Sequence, residues 1–348
     1  KTLFPYTTLF RSRYKPKKTT SITLRFPITD EQGNEGWWQR VLDQQDVLPK
    51  TTFKEDWSSM GHAWLTPNTN YLESKEIWIT EGIFDTIALW FSGITSCSAL
   101  TCNNYPSIFL NEIAQKCTEA GINFPKLVWA FDNDEAGHKG IFKNIELAQA
   151  DGFECEVALP PGGRKKQDWN DLYKQDRLKF SDLETYKYYG ALLVAEKAVD
   201  KGILIYKHKG MKSFPFDFKN QVYWFKLDIE RFGKSRDVIA EGDDSLDEDQ
   251  LTEKALAESQ TITEICNCLP MPLYYLRNDV TDEAWYYYRV AFPHDGKPVK
   301  GTFSSGQLSA TAEFKKRLLH MAAGAIWKGS AAQLDTLLGR WVEGIKTV

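Results

Sequence analysis

The sequence lacks any apolar run approaching the ~18 residues that a membrane-spanning helix needs, and no charged-then-apolar stretch opens it as a secretion signal would. A protein without membrane contact, working in the cytoplasm, is therefore expected. Cysteine is sparse. Cys97, Cys102, Cys117, Cys155, Cys266 and Cys268 include no CxxC pair, which argues against a zinc ribbon and a disulfide framework. No GxxxxGK(S/T) loop occurs either, so any P-loop motor lies outside the chain. Net charge is only −4, which does not suit a simple nucleic-acid coat. The charge is segregated, however. Lys1, Arg11, Arg13, Lys15, Lys17 and Lys18 open the chain without an acid, whereas the stretch from Glu241 to Glu253 holds acids without a base. Such separation is compatible with an enzyme that handles nucleic acid.

What the chain does have is bulk: 348 residues, 42% hydrophobic and 14% aromatic, enough for two or three domains with cores of their own. Residues 1–20 form a basic tail. Its opening, from Thr2 to Ser12, resembles translated sequencing-adapter read-through and is left out of the fold expectation. Residues 21–73 alternate apolar and polar positions through Ile22-Thr23-Leu24-Arg25-Phe26, turn at Asp30 to Asn34, and continue through Trp37 to Leu42, which predicts a hairpin in a small β-rich subdomain. Arg25, Arg40, Lys50 and Lys54 fall on or beside those strands. They are read either as a basic ridge facing phosphates or as ordinary solvated strand edges.

From Glu76 the pattern becomes strand, helix, strand, helix. Ile77-Trp78-Ile79, Ile94 to Leu100, Leu127 to Phe131 and Cys155 to Leu159 read as short strands. Phe84 to Phe91, Pro106 to Ala120 and Glu135 to Ala150 read as helices, the second opened by proline and closed by Gly121. That alternation predicts an α/β parallel sheet over residues 74–177. A helical connector over 178–205 follows, and then an α+β domain over 206–348. The latter has aromatic strands around Val222, Leu273 and Trp285, and two closing helices with stripes Phe314, Leu318, Met321 and Leu334, Leu337, Trp341. Its aromatics are read as core, with single-strand stacking as the alternative. Ile345 to Val348 looks like the start of a further strand, so both ends of the chain are read as truncated.

Three short acidic pieces follow the apolar runs: Glu81-Gly82-Ile83-Phe84-Asp85, Asp132-Asn133-Asp134-Glu135-Ala136-Gly137, and Asp168-Trp169-Asn170-Asp171. In one parallel sheet all would lie where strands end, the edge at which open α/β sheets place their sites. Carboxylates gathered there make a hard-oxygen site suited to Mg²⁺ or Mn²⁺. Asp132 and Asp134 share a side on an extended segment, and Asp85 lies one helical turn beyond Glu81. Asp168 and Asp171 could complete the rim from the final loop. Taken singly, each piece is a weak signal, since a lone DxD is more often a turn or a helix N-terminus and Glu-Gly-x-x-Asp could be helix capping; their order, each just after a strand, is the stronger signal. His138 and Lys139 either contact phosphates or line an exposed helix face.

The first two pieces together resemble the Toprim domain shared by bacterial-type primases, type IA and type II topoisomerases, some nucleases and recombination mediators. The resemblance spans about residues 74 to 175. It implies a compact Rossmann-like fold, with Glu81 as general acid or base and Asp132 and Asp134 as metal ligands, joined by Asp85 and Asp168. Leu24 to Ile28, Gln39-Arg40-Val41 and Leu48-Pro49-Lys50 are similar to the basic subdomain ahead of primase catalytic cores, and Asp168 to Asp171 is similar to the third acidic motif of phage and plasmid primases. Its Trp-Asn insertion leaves Asp168 and Asp171 as rivals for the third metal position, with Asp168 preferred. The resemblance implies template-directed RNA primer synthesis on single-stranded DNA from ribonucleoside triphosphates. It assigns Arg25, Arg40, Lys50, Lys54 and Lys139 to nucleic acid or nucleotide, and a replicative helicase acting in cis or trans as partner. A primase zinc module would also lie outside this chain. The rival readings are a Toprim nuclease using the same acids on water, and a non-catalytic nucleic-acid-binding replisome module.

Overall fold

A computed structural model of the chain describes residues 8–14, 19–29, 35–42, 51–162, 166–242, 245–294 and 296–345. It divides into two units, Lys1–Val194 and Ala195–Val348. The expected turn at Asp30 to Asn34, Lys50, and the closing residues 346–348 lie outside the described residues.

The first unit opens with β1 (Thr8–Tyr14), β2 (Thr19–Thr29), β3 (Glu35–Val41) and β4 (Thr51–Phe53), a four-stranded antiparallel sheet in that order. The expected hairpin is β2–β3. Thr8–Tyr14, which fell within the basic tail set aside from the fold expectation, pairs along its whole length with β2. Leu24, Phe26 and Ile28 of β2 and Trp38 of β3 turn to one face, as period-two alternation requires. That face closes on Trp64, Ile83, Ile87 and Leu100.

A second sheet follows: β5 (Trp64–Leu65), β6 (Glu76–Thr80), α1 (Ile83–Phe91), β7 (Ser96–Ser98), α2 (Ser107–Ala120), β8 (Lys126–Ala130), α3 (Glu135–Ala150), β9 (Cys155–Val157), α4 (Trp169–Lys174) and α5 (Phe180–Val194). Spatial order is β5-β7-β6-β8-β9; β6, β7, β8 and β9 run parallel and only the edge strand β5 is antiparallel. The central strands are apolar on both sides because both are covered. Ile77, Ile79, Leu127 and Trp129 face α2 and α3, whereas Trp78, Val128 and Ala130 face α1, α4 and α5. Burying each such side chain contributes about 1.5–3 kcal/mol. Because the chain runs from β6 out to β7 and then crosses back to β8, the strand order reverses between β6 and β8. Loops leaving those two strands part there and open a crevice.

The second unit holds α6 (Ala198–Lys209), β10 (Ser213–Phe218), β11 (Gln221–Leu227), α7 (Ile229–Gly242), α8 (Glu248–Ser259) and β12 (Gln260–Cys266). It continues with β13 (Leu269–Arg277), β14 (Ala284–Ala291), β15 (Val299–Ser304), α9 (Ser305–Ser309), α10 (Thr311–Met321) and α11 (Ala331–Gly344). Two three-stranded antiparallel sheets, β10-β11-β12 and β13-β14-β15, carry the aromatic runs. Tyr288, Phe303, Phe314, Leu318, Leu334 and Leu337 share one core, so these aromatics pack inward. Ser330 and Gln333 exchange hydrogen bonds ahead of α11 as a capping box.

The helical stretch expected as a connector is two helices. The break at residues 195–197 carries neither Gly nor Pro and falls where the first unit ends. α5 belongs to the first unit: Tyr186 is fully buried against Trp169, and the backbone at Gly190 lies so near β9 that a Cβ there would stand 2.0 Å from the Val157 carbonyl oxygen. Gly190→Val is therefore expected to push α5 off the sheet and cost roughly 1–3 kcal/mol, read as a lower denaturant midpoint for the first unit. An unchanged midpoint would show that this contact is not needed.

Candidate active site

Each acidic piece is placed by a different strand end. Glu81 follows β6 directly, and Gly82 is the N-cap of α1, extended and with no side-chain cap bond. Asp85, in the first turn of α1, turns back toward the sheet edge, where its carboxylate accepts a hydrogen bond from the Asn170 backbone N–H at 3.3 Å. Glycine at 82 makes room for it, since a Cβ would lie 2.8 Å from Asp85 Oδ2. The Glu-Gly-x-x-Asp piece is thus no side-chain helix cap.

Asp132 and Asp134 leave β8 through Phe131. Asp134 caps α3, its Oδ1 accepting from Gly137 N–H at 2.9 Å. A Cβ on Gly137 would stand 2.1 Å from the Asp132 carbonyl oxygen, so only glycine lets α3 start this close to the motif. Asn133 braces the turn: its Nδ2 donates to Pro160 O at 2.9 Å, and His138 Nε2 donates to its Oδ1 at 2.8 Å. His138 is thereby committed to Asn133.

The third piece is a helix start, where a loop was expected. Asp168 caps α4, its Oδ1 accepting from Asp171 N–H at 2.7 Å. Trp169, fully buried, donates from Nε1 to the Ala130 carbonyl at 2.7 Å and pins α4 to the end of β8. Asp168 lines a cleft of about 200 Å³ with Asp85, Gly82, Asn170, Trp38 and Arg40. Asp171 lies inside the helix, 3.7 Å from Lys174, and does not line that cleft.

The structure therefore brings Glu81, Asp85, Asp132, Asp134 and Asp168 to the crevice between β6 and β8, and β3 adds Arg40, whose guanidinium lies over the Phe84 ring at 5.4 Å. Among the described residues, the other basic side chains read from the sequence lie elsewhere. Arg25 sits opposite Gln39 in the sheet register, bonds the Gln39 side chain at 3.0 Å and stacks on Trp37 at 4.0 Å, on the sheet face away from Arg40. Lys54 follows β4 on the surface, and Lys139 pairs with Glu135 on the exposed side of α3.

Lys166 was not singled out from the sequence. Its Nζ lies 2.8 Å from Asp132 Oδ2 and 2.7 Å from Asp134 Oδ2. A lysine two residues ahead of the third motif is the only signal the sequence offered.

Burial and then crowding set the protonation of two of these carboxyls. Burial, and then the charges of Asp132 and Asp134, push Glu81 up to about 7, against the pull of Lys166. Burial, and then Asp168 and Asp132, push Asp85 up to about 8, opposed by the Asn170 N–H. Asp134 is held below the usual carboxylate range by Gly137 N–H and Lys166. Hydrogen bonds to the two aspartates hold Lys166 above the ordinary lysine range. Among the described residues no three His, Cys, Asp or Glu side chains converge as a ready metal cage. The donor set is nonetheless hard oxygen, and an ammonium already seated on Asp132 and Asp134 shows that the pair accepts a cation. The residues fit a divalent ion held by Asp132 and Asp134.

The family model described as Toprim-like matches residues 78–173, the segment that carries all three acidic pieces. Residues 78–173 are a Toprim-like domain. Over 160 residues the chain is 26% identical to the DNA primase of Mycoplasma genitalium, a match covering 45% of this chain and 25% of that protein. The chain thus spans a quarter of the curated relative's length. Among solved structures it is similar to the RNA polymerase domain of Mycobacterium tuberculosis primase DnaG (20% identity, 55% of this chain and 65% of that one, TM-score 0.38). It is also similar to a chain in the bacteriophage T7 lagging-strand DNA polymerase assembly with primase domains of two gp4 subunits (22% identity, 47% and 78%, TM-score 0.31). Superpositions this loose carry no residue roles across.

The raised Asp85 makes a test of the Toprim-like domain without ligand. A carboxyl whose folded pKa exceeds its unfolded value favours the fold least at high pH. Here the penalty builds from the unfolded value of 3.8 and is complete above about 8. In metal-free protein Asp85→Asn should raise Tm by a few °C, on the order of 1 kcal/mol, at about pH 8.5 and by less at about pH 5. A loss of stability at the higher pH would refute the crowding.

Proposed function

We propose that this chain is the RNA-synthesising part of a DNA primase of phage or plasmid type, joining ribonucleoside triphosphates on a single-stranded DNA template. The observation that carries the reading is placement: carboxylates from three separate chain segments lie along one edge of the sheet, near enough to perturb one another, and Arg40 of the preceding β-sheet lines a cleft there with Asp85 and Asp168. The Mycoplasma genitalium relative, a DNA primase, supports this reading over other Toprim chemistries.

Glu81, poised at about 7, can take a proton from a 3′-hydroxyl near neutral pH and return it, as a general base should. Asp132 and Asp134 would hold Mg²⁺ or Mn²⁺, with Asp85 and Asp168 beside them. Bound there, the ion supplies charge neutralisation on phosphate and activation of the attacking oxygen. Arg40 lines the cleft and is suited to template or triphosphate phosphates. Arg25, Lys50, Lys54 and Lys139 would add to the field along the strand path. A replicative helicase, joined in cis or recruited in trans, would deliver the template, in the cytoplasm.

Incubation of the purified chain with end-labelled single-stranded DNA, labelled ribonucleotides and Mg²⁺ or Mn²⁺ tests the reading on one denaturing gel. Short new RNA is expected from the wild type, reduced at least 10²-fold in Glu81→Gln and in Asp132→Asn. Shortened DNA lost in the same variants would replace synthesis with strand cleavage. DNA binding with no product would point to a non-catalytic module.

A further inference from the structure

The Asp132–Asp134 pair is already neutralised by a cation belonging to the chain. Lys166 Nζ touches Oδ2 of both residues, at 2.8 and 2.7 Å. A divalent ion shared by the same two oxygens would stand about 2.1 Å from each. A point that near both oxygens, on the side where Lys166 lies, falls inside the contact distance of Nζ. Ion and ammonium therefore exclude one another by volume as well as by charge.

Two further features suit an exchange. Asp134 is positioned independently of the lysine, because its other oxygen, Oδ1, is held by Gly137 N–H at 2.9 Å; removing the ammonium leaves Oδ2 aimed at the same spot. Lys166 is free to leave, since its side chain is 53% exposed and no other acid pairs with it among the described residues. Asp134 is thus preorganised by backbone, and both aspartates are screened by a movable charge.

We propose that Lys166 is a tethered counter-cation for the Asp132–Asp134 pair, holding the metal-free site together and giving way to the divalent ion, so that metal entry is an exchange of charges. This rests on the reading of the pair as the metal site. It explains how two aspartates one residue apart can face the same point without metal, and it makes Lys166 a positioning residue that tunes affinity for the ion.

The test is a Mn²⁺ titration of the full chain at low salt, following the electron-paramagnetic signal of the free ion, with wild type, Lys166→Met, Lys166→Arg and Asp132→Asn. Lys166→Met is expected to bind Mn²⁺ roughly tenfold more tightly than wild type, and its metal-free form to melt at a lower temperature that Mn²⁺ restores. Lys166→Arg, which keeps the charge, should bind no more tightly than wild type. Equal or weaker Mn²⁺ binding by Lys166→Met, with Asp132→Asn still deficient, would overturn the exchange and leave the metal site standing. Absence of binding in all four proteins would overturn both the exchange and the metal site.

Discussion

Repulsion among carboxylates gathered in a half-buried crevice is the constraint to which the first unit answers. Ionised together, Glu81, Asp85, Asp132, Asp134 and Asp168 oppose one another, and burial strengthens the effect. The fold offsets this in three ways. The N-termini of α1 and α3 point toward the cluster, with the positive ends of their dipoles near Asp85 and Asp134. Backbone N–H groups of Gly137, Asp171 and Asn170 are spent on carboxylate oxygens. What remains is met by the ammonium of Lys166 and by two carboxyls, Glu81 and Asp85, that keep their protons to near-neutral pH.

Close approach follows from the same constraint. Helices can aim N–H groups at the aspartates only if their first turns abut the strand ends; the glycine at 137 marks where a side chain would block that, and the glycine at 82 leaves room for the Asp85 carboxylate. Sheet order supplies the rest. With β7 on one side of β6 and β8 on the other, the loops bearing Glu81 and Asp132 diverge and leave a space that neither helix layer fills.

Much of this was legible in the sequence because apolar runs and acidic pieces alternate. Ile77 to Ile79 and Leu127 to Phe131 announce buried parallel strands, and the acids after them announce the site edge. What was not legible depended on register or on distance across the fold. Arg25 and Arg40 look equivalent along the chain, but Arg25 lies opposite Gln39 while Arg40 lies opposite Leu24, which sends them to opposite faces; a slip of one residue would exchange them. Asp168 to Asp171 reads as a loop by composition, and its helix is fixed by a buried tryptophan bonding a strand remote in sequence. Lys166 has only its place just ahead of the third motif to mark it, since its role arises from aspartates more than thirty positions away.

That indole bond has a bearing on how the chain can vary. Trp169 ties the third acidic piece to the end of β8, the same strand that launches the second. The spacing between the two pieces in space is thereby set by a hydrogen bond and a packed ring, independently of how many residues separate them along the chain. Loss of the indole would therefore release Asp168 from the second piece without altering any acidic residue.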